Sequence, residues 1–144
     1  MISKGKFKNS KVTMIYFKDY CDKELTYALM EIGYPISPIP IGGQQPNKPV
    51  YYDLPIDHPD WYGCDAYHPH LMYEVQQWLI GKNLYVEVEP LFRSQWNVVI
   101  WNLEEMRDIY ENAPHKSYHA AMRHGLKVAV QMLKKENNDK ERTA

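Results

Sequence analysis

The densest concentration of chemically capable side chains lies in the segment DHPDWYGCDAYHPH, which carries Asp57, His58, Asp60, Cys64, Asp65, His68 and His70. Neutral imidazole, thiolate and carboxylate are the groups that zinc and related ions take, and a catalytic metal site needs about three of them plus an open position for water. His58, Cys64, His68 and His70 therefore form a candidate set for a zinc site, structural or belonging to a metal-dependent hydrolase. The spacing gives little support: His68 and His70 flank Pro69 instead of sitting four apart on a helix, and neither HExxH nor paired CxxC accompanies them. A polar, turn-rich loop whose histidines cap a neighbouring helix accounts for the same residues.

His115, His119 and His124 make a second group, and the first two face one ion if the last helix begins early, at Pro114. His124 is rotated about 140° from His119 on a helix that advances about 100° per residue, so the three do not converge from one straight element. A solvated helix face explains them more simply. Nucleophilic catalysis needs an activated serine or cysteine, and Cys64 near His58 or His68 is the one local arrangement of that kind. There is no GxSxG elbow, no GxxxxGK[ST] loop and no GxGxxG turn, which disfavours nucleotide-dependent chemistry. Glu87, Glu89, Glu104, Glu105 and Asp108 supply paired carboxylates, but their positions suit the outer face of a strand and an acidic turn after a strand. Lys4, Lys6, Lys8 and Lys11 in the first stretch, with Arg123, Lys127, Lys134 and Lys135 near the end, give a weak nucleic-acid signal that the acidic centre offsets.

Aromatic residues give a different clue. The chain has 12 tyrosines and 4 tryptophans against 3 phenylalanines, and amphipathic rings suit half-buried and contact positions. Tyr51, Tyr52, Trp61, Tyr62 and Tyr67 gather in the proline-rich middle, where connections are expected at the surface, and so form the best candidate surface for contact with a protein partner. Their competing use is to fold over a small sheet as a lid, since three strands need help in burying an open face.

The elements that position these residues follow from periodicity and punctuation. Asp22 caps a first helix over Lys23 to Ile32, in which Leu25, Leu29 and Ile32 share a face and Gly33 supplies the left-handed stop. Seven of the ten prolines fall between Pro35 and Pro59 and deny continuous helix or ladder there, leaving Val50 to Leu54 as a short strand. Pro69 opens a second helix with Leu71, Val75, Trp78 and Leu79 on one stripe, ended by Gly81. Leu84 to Glu89 alternates with period two, Trp96 to Trp101 is β-prone, and the two pair as an antiparallel hairpin. Ser117 to about Lys135 forms the last helix, with Tyr118, Ala121, Met122, Gly125, Leu126, Ala129 and Leu133 on one face. Val12 to Phe17 reads equally as strand or as a lead into helix.

These pieces predict an α+β fold, a small antiparallel sheet of about three strands packed by three helices mainly on one face, in the order α-β-α-β-β-α. At 144 residues with 44% hydrophobic and 24% charged residues, one domain over 1–144 is expected, with a basic arm over about 1–11 and a fraying polar end over about 136–144. The net charge of -1 gives no global field toward nucleic acid or membrane. No apolar run approaches the roughly 20 residues of a membrane span, and Cys21 and Cys64 suit free thiols in a reducing compartment, so a cytoplasmic location is expected.

The segments YCDKELTYALMEIGYP, VQQWLIGKNLYVEV, WNVVIWNLEE and SYHAAMRHGLKVAVQML resemble a family of small uncharacterised proteins encoded by phages and mobile elements of gut bacteria. The lysine-rich start, IPIGGQQPNKP and DHPDWYGCDAYHPH depart from that pattern. The resemblance implies no activity and no cofactor; with the aromatic loop it implies a non-enzymatic accessory protein acting by protein contact. The alternatives are the zinc-binding reading and a weak nucleic-acid binder.

Overall fold

A computed structural model describes residues 18–39, 42, 43, 45, 48–52 and 66–143, Tyr52 and Thr143 in their backbone alone. The first helix, α1 (Lys23–Glu31), starts where Asp22 Oδ1 accepts the Leu25 N–H at 2.8 Å and ends at Gly33, whose φ of 87° belongs to the left-handed region. Its inner face is Leu25, Thr26, Leu29 and Met30, and the Thr26 hydroxyl donates to the Asp22 carbonyl at 2.8 Å, which makes burial of that one polar group affordable.

Three two-residue strands follow: β1 (Pro38–Ile39), β2 (Tyr51–Tyr52) and β3 (Ala66–Tyr67), in the antiparallel order β1-β3-β2. Tyr67 pairs with Pro38 on one side and Tyr51 on the other and is completely buried. Helix α2 (Met72–Ile80) begins where the Glu74 carboxylate accepts the Leu71 N–H at 3.0 Å, and it turns Met72, Val75 and Leu79 inward.

The larger sheet is β4 (Leu84–Leu91), β5 (Gln95–Asn102) and β6 (Arg107–His115), antiparallel in that order. The expected hairpin is present, with Val86 opposite Ile100 and Val88 opposite Val98, and it is longer than its apolar alternation because Pro90, Leu91 and Gln95 still pair. Its third strand is β6, which begins inside the acidic turn expected at Glu104, Glu105 and Asp108; only residues 103–106 turn, and Asp108 already lies opposite Trp101. Val50 to Leu54, the other expected strand, contributes Tyr51–Tyr52 to the small sheet instead.

Helix α3 (Tyr118–Thr143) crosses the Val86, Val98 and Ile100 face of the large sheet with Ala121, Met122, Gly125, Leu126, Ala129, Val130 and Leu133 buried. It runs on to Thr143, so the expected fraying from about residue 136 is replaced by helix. Nothing buries that last stretch, but the Glu136–Lys140 pair at 3.1 Å and the Lys140 and Arg142 cations near the C-terminus favour helix there. Buried residues from both sheets and all three helices join in one apolar cluster, an α+β arrangement with α2 and α3 on one side of the large sheet. Among the described residues, no helix is long and apolar enough to cross a membrane.

Candidate functional site

Two long-range backbone contacts bring the chain just before α1 to the start of α2: Tyr20 forms a bridge with Leu71, and the Cys21 N–H donates to the His70 carbonyl at 3.0 Å. Asp19 is thereby held beside the first turn of α3, which begins where Ser117 Oγ accepts the Ala120 N–H at 3.0 Å. His119 Nε2 meets Asp19 Oδ1 at 2.6 Å across 100 residues of sequence. An N–H facing a carboxylate donates, so the neutral ring keeps its lone pair on Nδ1.

This pair stands at the edge of a cleft of about 250 Å³ lined by Leu71, Met72, Tyr73 and Gln76 from the α2 side and Tyr118 and Met122 from α3. Buried Met72 and Met122 form its floor. Tyr73 and Tyr118, 66% and 43% exposed, stand at its rim and are among the few large apolar side chains the described surface displays. The Gln76 amide donates to the Val86 carbonyl at 2.7 Å, which ties the cleft wall to the sheet.

An Asp-oriented imidazole is half of a nucleophilic apparatus, and the other half is missing from the lining: no serine, threonine or cysteine faces the cleft among the described residues. Cys21 is fully buried, and burial together with the neighbouring Asp22 carboxylate pushes its thiol up to about 12, so it offers no thiolate. What the arrangement can do is hold an apolar group between methionine and tyrosine side chains while polar atoms at the edge orient it.

The residues singled out from sequence are used differently. Trp61, Tyr62, His58 and Cys64 lie outside the described residues. Tyr67 has no surface to offer a partner; it is core, and its expected contact role is corrected accordingly. Tyr51 is half-buried, its hydroxyl donating to the Cys21 carbonyl at 3.0 Å and its ring edge-on to Tyr67 at 5.8 Å. Both tyrosines lie in the small sheet and pack with the apolar cluster. His68 is clasped between the Pro49 carbonyl at 2.7 Å and the Gln45 N–H at 3.2 Å, which occupies both ring nitrogens. His70 Nδ1 bonds the Tyr34 hydroxyl at 2.8 Å. A metal at the His68 imidazole would have to displace those bonds, and among the described residues no three histidine, cysteine or acidic groups converge.

His115 and His119 do not meet, because His115 ends β6 and α3 starts only at Tyr118. His115 instead lies against His124, ring centroids 4.9 Å apart, and His124 Nε2 shares a 2.7 Å hydrogen bond with the Tyr110 hydroxyl. Burial, His115 and Lys127 hold the His124 pKa below its ordinary value. The basic residues of α3 are partly neutralised: Lys127 bonds Asp22 and Glu24, Arg123 lies 3.5 Å from Asp22, and Lys134 bonds Glu31. Of the cleft's polar residues the sequence singles out His119 alone; Asp19, Tyr73, Gln76 and Met122 carry no motif, and only folding makes them neighbours. Comparison with protein-family models, curated proteins and solved structures finds no match to the chain.

Proposed function

We propose that this chain is a non-enzymatic protein-contact domain whose cleft beside Asp19 and His119 receives an apolar side chain of a partner. The observation that carries the reading is the cleft of about 250 Å³, floored by methionine and rimmed by exposed tyrosines. That volume suits a single anchoring side chain, and adaptable thioethers beside rigid rings are a common way to seat one. The imidazole–carboxylate pair, with no serine, threonine or cysteine lining the cleft among the described residues, supports recognition over turnover. A second groove shares Leu71 with the cleft and continues past His70 and Pro38 toward β1 of the small sheet. An accessory role of the kind found among small phage and mobile-element proteins fits this reading.

Selection of random 12-residue peptides displayed on phage against the full chain tests it. Enriched peptides should share an aromatic or aliphatic anchor, should shift the methyl resonances of Met72 and Met122, and should bind the Tyr73→Ala/Tyr118→Ala variant at least tenfold more weakly. Both tyrosines are exposed, so the variant should keep the wild-type circular dichroism spectrum. Peptides that bind variant and wild type equally and leave Met122 unmoved would sink the proposal.

A further inference from the structure

The face of the large sheet turned away from α2 and α3 follows from the strand register. Tyr85 lies opposite Trp101, Glu87 opposite Val99 and Glu89 opposite Asn97, while β6 adds Glu111 opposite Val99 and Asp108 opposite Trp101. All of these project to the side opposite Val86, and no described element packs extensively on that side. The face carries the carboxylates of Glu87, Glu89, Asp108 and Glu111, and none of them has a cationic partner among the described residues. On the helix side, by contrast, Asp22, Glu24 and Glu31 are each matched by a lysine.

Asn97 supplies a second, independent sign. It is 7% exposed, and its Nδ2 reaches both Glu89 Oε1 at 3.4 Å and Glu111 Oε2 at 2.9 Å, which places its amide between two carboxylates. Its Oδ1 is buried with no hydrogen-bond partner. A buried carbonyl without a donor is costly, and like charges drawn toward one amide repel, so an incoming cation with several N–H donors would relieve both.

We propose that this sheet face docks a lysine- or arginine-rich segment of a protein partner, with one cationic side chain seated at Glu89, Asn97 and Glu111. The three side chains sit on adjacent strands, and turning the Asn97 amide over would place Oδ1 between the two carboxylates, a set of acceptors that an ammonium with three donors or a guanidinium fork satisfies. Trp101 and Tyr85 extend the face beside Glu87, whose Oε1 lies 3.4 Å from the Trp101 Nε1 donor, and aromatic rings next to carboxylates favour a second cation. The spread of carboxylates over the face fits an extended basic segment with cations at alternate positions better than one metal ion, which two carboxylates and an amide would hold poorly. This surface is separate from the cleft, and its test does not depend on the cleft reading.

The test titrates the full ¹⁵N-labelled chain with a capped (Lys-Thr)₅ peptide at low salt. The expected result is saturable shifts centred on Asn97, Glu111 and the Trp101 indole N–H, with affinity falling at least tenfold in Glu89→Gln/Glu111→Gln. Glu136→Gln/Glu141→Gln, which removes the same charge from α3, should bind like wild type, and thermal melts should show every variant folded. Equal losses in both double variants would reduce the effect to bulk charge and overturn the proposal. Shifts centred elsewhere would do the same, as would Ca²⁺ or Mn²⁺ saturating the Glu89 site and displacing the peptide.

Discussion

Gly125→Ala isolates the contact that holds α3 on the large sheet. A Cβ at this position would lie 2.5 Å from Val98 Cγ2 and 2.6 Å from Val86 Cγ1, whereas carbon atoms in contact settle at about 3.5–4.0 Å. The shortfall of about 1 Å falls on two valines, whose branched side chains have little rotational freedom to retreat. Rotating them away from their preferred rotamers costs about 0.5–1.5 kcal/mol each. Lifting the helix instead loosens the packing of Leu126 and Ala129. Overpacking of this kind costs about 1–3 kcal/mol, against a gain of about 1 kcal/mol from replacing glycine by alanine inside a helix. The two opposing terms leave a net destabilisation of about 0–2 kcal/mol, or a fall in Tm of up to roughly 8 °C for a domain of this size. Urea and thermal denaturation of wild type, Gly125→Ala, Val98→Ala and the double variant measure it. Removing the Val98 methyls should return part of the loss, with a coupling energy of at least about 0.5 kcal/mol. If Gly125→Ala stabilises the protein by about 1 kcal/mol, as helix propensity alone would have it, or if the two substitutions are strictly additive, the close approach of helix and sheet is refuted.

Two further predictions concern titration and reactivity. Burial, His115 and Lys127 hold the folded-state pKa of His124 below its ordinary value, so the unfolded chain takes up the proton first. The stabilising contribution of this group is complete above its ordinary value of 6.5 and declines as pH falls below it. Urea midpoints between pH 7.5 and 5.5 should therefore drop less steeply in His124→Gln than in wild type, and parallel slopes would count against the buried cluster with Tyr110 and His115. Cys21, fully buried and with its thiol pushed up to about 12, should resist a disulfide reagent at pH 8 until the chain is unfolded in urea; in Cys64→Ser, prompt labelling of the native protein would contradict its placement.

Local patterns in the sequence carried much of the architecture. Asp22 as a cap, Gly33 as a stop, the Leu71 to Leu79 stripe, the Leu84 to Trp101 hairpin and the inner face of α3 all arise from spacing within single elements, which backbone geometry turns directly into helix or strand. Strand β6 gave no such signal. RDIYENAPH is a polar edge strand with one solvated face, and it becomes a strand through its ladder with β5 more than through its own composition.

The sites depended on tertiary structure for the same reason. The Asp19–His119 bond, the burial of Tyr67 between two short strands, the His115–His124 contact and the Asn97 amide between Glu89 and Glu111 each join elements whose separation no local period encodes. The chain's own order determined which segments are helix and hairpin, because those preferences act over a few residues. Which of its histidines, tyrosines and carboxylates would meet was decided only when one apolar cluster drew the helices onto the sheet and brought distant side chains within hydrogen-bonding reach.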